Sequence, residues 1–294
     1  MRENKDMSKK KSLLGMSSIL RARRICVYFI LIILTFLCLF PIWTLVVNMT
    51  RSNGQIATSF SFWFGTNFFE NMKNVFSDDH LPVLSALGNS VIVSVVGSLL
   101  CVYFSALTAY AIEVYQFKGR EIIFKFILVI MMIPTTISGV GLARMLTNIG
   151  QSDMLWPLII PSIASPITFF YMKQYMESVL PLEMIEAARI DGAGEFRIFN
   201  QMALPIIKPA LAVQLIFAFV SNWNNFFIPA LLISDNKKKT LPLIIAAVKA
   251  SDPSSFDMGK VYALIGFAII PLVIVYLFLS KFIVGGTTEG SVKG

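Results

Sequence analysis

The sequence predicts an all-α fold, a polytopic bundle of six helices that cross a lipid bilayer. Three observations carry this. Hydrophobic residues make up 56% of the chain and charged residues 14%, against about 25% charged in a soluble domain. Mean hydropathy is +0.72, so polar surface is too scarce to coat a water-soluble globule of this size. Six segments each supply the roughly 20 apolar residues that a helix needs to span the hydrocarbon core. Helix is favoured over isolated strand because it closes its backbone hydrogen bonds within the segment.

Residues 1–24 carry Lys9, Lys10, Lys11, Arg21, Arg23 and Arg24 and read as a basic cytosolic tail. The first span, Ile25 to Met49, is longer than the apolar core of a cleaved signal peptide. Phe40-Pro41-Ile42-Trp43 stands where a small-residue cleavage site would be expected. A long polar loop, Thr50 to Leu87, interleaves Phe60, Phe62, Trp63, Phe64, Phe68 and Phe69, either as an interfacial belt or as part of a docking surface. His80, the single histidine, lies in this loop without catalytic partners. The second and third spans are Asn89 to Val114 and Ile122 to Ala143; the fourth is Leu155 to Met176. An inner loop, 177–208, separates it from the fifth span, Pro209 to Ile233. The sixth, Gly259 to Val284, completes a six-span domain over 25–284, and a cytosolic tail, 285–294, follows.

Seventeen Lys and Arg residues fall on segments that are inner if the N-terminus is inside, and eight fall on the outer ones. This bias predicts both termini in the cytosol. The run Lys237-Lys238-Lys239 opposes it. The net charge of +8 is thereby accounted for by orientation next to membrane lipid, and no basic, aromatic face points to nucleic acid. Cys26, Cys38 and Cys101 lie in apolar runs and read as small packing residues.

The loop from Glu186 to Pro205 reads EAARIDGAGEFRIFNQMALP. Pro181 can open a helix, with Glu183 and Glu186 in its first turns, where acidic charge suits the helix dipole. Gly192 and Gly194 stop it or turn it. Glu195 to Met202 can form a second short helix, and Pro205 and Pro209 mark the return to the bilayer. Small residues at Ala187 and Ala188 admit a close neighbour, and Glu186 offers a charged anchor for a basic group on another protein.

Charge within the spans is scarce: Glu113, Lys125, Lys173 and Lys281 sit near span ends. Ion-coupled carriers generally need ionisable residues or broken helices at the midplane. The pattern fits a neutral polar solute, although an ion-coupled carrier stays as the competing class. In the fifth span Ser221, Asn222, Trp223, Asn224 and Asn225 form a polar cluster that could meet the hydroxyls and face of a saccharide, or could bond helices together. Pro134, Pro157, Pro161, Pro166 and Pro271 punctuate the other spans, shaping a gate or only the packing. The chain has no GxxxxGK[ST] phosphate loop, no HExxH and no GxSxG, so neither ATP hydrolysis nor enzyme chemistry is expected of it.

Glu186-Ala187-Ala188, three residues, Gly192, nine residues, Met202, one residue and Leu204-Pro205 match in spacing the signature of the integral-membrane subunits of bacterial ABC importers. Met202 stands where that signature has Ile. Ala109-Tyr110-Ala111 with Phe117-Lys118-Gly119-Arg120 extends the resemblance. The stretch EAARIDGA with Asp191, and Trp223-Asn224-Asn225-Phe226, resemble the carbohydrate-uptake branch. The ending, Val284-Gly285-Gly286 and Val292-Lys293-Gly294, resembles the smaller permease of maltose-type systems.

The resemblance implies the type I importer permease fold in the bacterial cytoplasmic membrane, with a coupling helix in the loop. It also implies a second related permease, two ATPase subunits that hold ATP and Mg, and an extracytoplasmic solute-binding protein. No cofactor or metal is then expected in this chain. Glu186, Ala187, Ala188, Asp191, Gly192, Leu204 and Pro205 would couple to the ATPase. Gly286, Lys293 and Gly294 in the tail would make a second contact, and Ser234 to Met258 would face the binding protein.

Overall fold

Helices account for all regular structure among the described residues of the chain. A computed structural model describes the backbone of residues 2–78, 81–250 and 256–290, with side chains between residues 20 and 282 of these, residue 22 apart. In chain order the α-helices are α1 (Arg2–Asn48), α2 (Asn53–Thr58), α3 (Phe68–Phe76), α4 (Val83–Val114), α5 (Arg120–Ile130), α6 (Thr135–Asn148), α7 (Trp156–Ile159), α8 (Pro166–Val179), α9 (Leu182–Ile190), α10 (Glu195–Ile198), α11 (Leu204–Ile206), α12 (Lys208–Trp223), α13 (Phe227–Leu232), α14 (Leu241–Lys249) and α15 (Met258–Gly290). His80, Lys293 and Gly294 lie outside the described residues.

Among the described residues, four stretches are long and apolar enough to cross a bilayer: Arg23–Asn48, Val83–Val114, Lys208–Leu232 and Met258–Phe282. The third predicted span is not continuous. It is α5 and α6, bent by 90° at residues 131–134. Pro134 supplies no N–H and disfavours helical backbone at Ile133, so α5 stops at Ile130 and residues 131–133 turn before α6 starts. The fourth is also in pieces: α7, a 3₁₀ turn over Ile160–Ile163, then α8. Pro161 and Pro166 interrupt the ladder, and Ser165 caps α8 by accepting from the Thr168 amide. Two further boundaries moved. The helix of the first span extends back through the basic tail to Arg2, and α15 continues past Val284 to Gly290.

The chain divides into two units. The smaller comprises residues 1–71 and 257–263. There Arg51 is 5% exposed, and a buried charge must be hydrogen-bonded. Its Nη2 donates to the carbonyls of Gln55 (2.6 Å) and Ser59 (2.8 Å) and to Ser59 Oγ, and its Nη1 donates to Asn48 Oδ1. Asn71 Nδ2 donates to the carbonyls of Met49 and Arg51. Trp43 Nε1 donates to the Phe62 carbonyl, and Phe60 and Phe62 pack edge-to-face beside Phe40. The loop aromatics thus fold back along the end of α1.

The larger unit comprises residues 72–256 and 264–294 and is built on α4. Ser90, Ser94, Gly97, Ser98, Cys101, Ser105 and Ala109 recur at helical spacing and are all small; all but Gly97 are among its most buried residues, and Gly97 is buried too. Small side chains let helix backbones approach closely where lipid supplies no hydrophobic drive between helices. α8 and α12 pack along this stripe. A second core gathers Tyr110, Met172, Met176, Ile185, Ile198, Phe199 and Ile207, joining the C-terminal end of α4 to α8 and to residues 181–207. At the N-terminal end of α4, Asn89 Nδ2 donates to the carbonyls of Lys237 and Lys239, and Ser90 Oγ accepts from the Leu241 amide. The two loops that the sequence assigns to opposite sides of the bilayer therefore hold opposite ends of one helix.

Candidate functional site

Pro181 is the residue before α9, with its φ of −73° preset for a helix start. Ile185 and Ala188 face inward and are buried, whereas Leu182, Glu183, Glu186, Ala187 and Ile190 are exposed. An apolar residue as large as Ile190 at 86% exposure, beside a carboxylate, is unusual on a polar loop. Among the described residues Glu186 has neither a hydrogen-bond nor an ion-pair partner.

The helix closes with a paired C-cap. The Ala193 amide donates to the Ala188 carbonyl and the Gly192 amide to that of Arg189, each at 3.0 Å. Such a cap needs a left-handed residue, and Gly192 has φ of +79°. Beyond it, the predicted helix from Glu195 to Met202 is not uniform. α10 ends at Ile198 and a wider π turn covers Phe199–Ala203 before α11. Pro205 offers no N–H to the Gln201 carbonyl, which fits a widening just before it. Leu204 is partly buried against the second core and Pro205 is exposed. A groove of about 430 Å³ lies between the two halves of the loop, lined among others by Met184, Ala187, Asp191, Gly192, Arg197 and Gln201.

One carboxylate organises the loop. Glu195 accepts from Arg189 at both oxygens, Nε to Oε1 at 2.6 Å and Nη2 to Oε2 at 3.2 Å. Tyr115 Oη donates to Oε2 at 2.7 Å and Tyr110 Oη at 3.4 Å. The guanidinium also stands 5.3 Å over the Tyr115 ring. The Arg189 hydrogen bonds hold the Glu195 carboxyl below the usual carboxylate range against the opposing effect of burial, with the Tyr115 hydroxyl assisting. Burial, then the hydrogen bond to Glu195, push the Tyr115 hydroxyl up. Sequence reading did not single out this cluster. An acidic and a basic residue flanking Gly192 and Gly194 were the available signal, but the tyrosines lie about 80 residues earlier in the chain.

The fifth-span cluster is divided by a break between α12 and α13. Trp223 is buried and stacked on Phe219 with centroids 5.6 Å apart. Asn222 packs against Gly97, and Asn225 Oδ1 accepts from the Ile228 amide at the start of α13. Ser221 and Asn224 are exposed. Gly286 falls within α15.

Comparison with known proteins agrees with this architecture. Residues 102–288 match the family described as binding-protein-dependent transport system inner membrane component. The arabinooligosaccharides transport system permease protein AraQ of Bacillus subtilis (strain 168) is 31% identical over 282 residues, which is 92% of this chain and 96% of that protein. The trehalose/maltose transport system permease protein MalG of Thermococcus litoralis is 33% identical over 267 residues, 90% of this chain and 94% of its own length. A chain in the crystal structure of a bacterial ABC transporter involved in the import of the acidic polysaccharide alginate shares the fold, with a TM-score of 0.76 at 24% identity over 89% of this chain and 96% of that one. With its several apolar helices and a family match over most of its length, the chain belongs to the inner-membrane components of binding-protein-dependent transport systems.

Proposed function

We propose that this permease imports a sugar or oligosaccharide as one half of a translocation path formed with a second, related permease. Energy comes from two separate ATPase subunits that hold ATP and Mg. A solute-binding protein outside the membrane delivers the substrate, and both termini of the chain face the cytosol. The observation that carries the reading is α9, with Ile185 and Ala188 buried and Glu186, Ala187 and Ile190 offered outward and unpaired. A helix built this way on a short loop is a docking element. Names of relatives such as AraQ and MalG support a saccharide as the solute.

Glu186, Ala187, Ala188, Asp191 and Gly192 present or shape the docking face, and Leu204 and Pro205 return the loop to the bundle. Approach of the ATPase subunits on ATP binding draws the docked helices together, and the permease halves rock between outward and inward access. Gly286, Lys293 and Gly294 make a second contact with the ATPase. In the fifth span the exposed Ser221 and Asn224 are the side chains best placed to meet solute, while Asn222, Trp223 and Asn225 hold the helix packing around them.

The test is reconstitution of the full complex in vesicles with labelled oligosaccharides. Uptake that requires the ATPase subunits and ATP is expected, and Glu186→Lys should abolish uptake while the chain still inserts and assembles with the second permease. Uptake by this chain alone on an ion gradient would point to the carrier class instead. ATP-driven uptake of a non-saccharide only would retain the importer and replace the solute.

A further inference from the structure

The Gly192 turn leaves α9 joined to the rest of the loop through a residue with unusual backbone freedom. The C-cap hydrogen bonds and the burial of Ile185 and Ala188 hold α9 in place, and a side-chain bridge across the turn adds a directional restraint against its rotation under force. Among the described residues Arg189 is the one α9 side chain with a hydrogen bond, and that bond crosses the turn to Glu195. A bidentate guanidinium–carboxylate pair fixes direction as well as distance. Glu195 in turn takes hydroxyl donors from Tyr110 and Tyr115 at the C-terminal end of α4. About two turns earlier on α4, Tyr103 Oη donates to Asn200 Oδ1 at 3.2 Å, and the Phe199 ring sits 5.2 Å from Tyr110 and 5.7 Å from Tyr103. The polar bridge therefore lies beside an aromatic contact between the same two elements.

We propose that Glu195 is a positioning residue that locks the docking helix α9 to the long span α4 through Arg189, Tyr110 and Tyr115, so that loop and span move as one lever. The proposal rests on the reading of α9 as the docking helix. Without the lock, only the apolar core would tie α9 to α4, so a docked ATPase subunit would displace α4 less and hydrolysis would drive less transport.

The test uses the assembled complex with the exposed Cys26 and Cys38 replaced and the buried Cys101 kept. Spin labels are introduced through Glu183→Cys and Thr108→Cys, two exposed positions on α9 and α4. Glu195→Gln keeps an acceptor for the tyrosines and removes the charge that holds Arg189. The label distance distribution is expected to broaden, and uptake per ATP hydrolysed to fall about tenfold, the scale of one lost charge-assisted hydrogen bond. The exchanged pair Arg189→Glu with Glu195→Arg is expected to recover part of both, which a general loss of stability would not do. Tyr115→Phe, which removes a single hydroxyl, gives the same direction of change if Glu195→Gln fails to assemble.

An unaltered distance distribution in Glu195→Gln would overturn the lock. A broadened distribution with unaltered uptake per ATP would overturn its role in transmission. A wild-type chain that binds no ATPase subunit would defeat the docking reading and the transmission role together, and the label distances would still report whether the lock exists.

Discussion

A methyl group added at Gly97 would lie 2.9 Å from Asn222 Nδ2 and 3.2 Å from Ser162 Oγ. Gly97→Ala must therefore displace the Asn222 side chain and crowd Ser162, and a loss of about 1 kcal/mol is expected in detergent unfolding. At Gly192 the space is open and the objection is conformational, because φ is +79°. Gly192→Ala is expected to lose about 1 kcal/mol, with Gly192→Asn losing less, since Asn tolerates the left-handed region. Glu195 makes a prediction about acid. Its carboxyl is held low in the folded chain, mainly by Arg189. The stabilisation is complete above the ordinary carboxylate pKa of about 4 and disappears as pH falls through the lower folded value. The difference in melting temperature between the wild type and Glu195→Gln should be constant near neutral pH and close in strong acid. Gly192 was legible in the sequence as a turn. The cost at Gly97 was not, because it depends on which helix lies opposite.

At the scale of elements, length and apolar runs marked the four stretches that are long and apolar enough to cross a bilayer among the described residues, while continuity elsewhere was decided by prolines. Pro134 and Pro161 are obvious breakers, yet proline-kinked spans also exist, so the sequence alone left the 90° bend between α5 and α6 undetermined. The break after Trp223 lies just before Pro229, which offers no N–H to the Asn225 carbonyl. There Asn224 and Asn225 are neighbours with different work. Asn225→Ala removes the acceptor of the Ile228 amide and is expected to lower stability by about 0.5–1 kcal/mol. Asn224→Ala touches an exposed side chain and should leave the melting temperature in place. A fall in uptake confined to Asn224→Ala would mark solute contact, whereas a fall that follows the melting temperature would mark packing.

For the molecule as a whole, the loop from Glu186 to Pro205 was legible to a high degree because its spacing is local: helix, turn and return lie within one short stretch. What holds the loop was illegible, since Tyr110 and Glu195 meet only through the packing of α4 against α8 and α12. The larger unit is built around α4, which turns a stripe of small, buried residues to its neighbours. A map of tolerated substitutions should consequently run against chemical intuition. The exposed charges at Glu183, Lys237 and Arg197 should accept many replacements, while the bland positions Ser94, Gly97, Cys101 and Ser105 should accept almost none. In this chain, selection would act most severely on the residues that do the least chemistry, because their smallness is the property being kept.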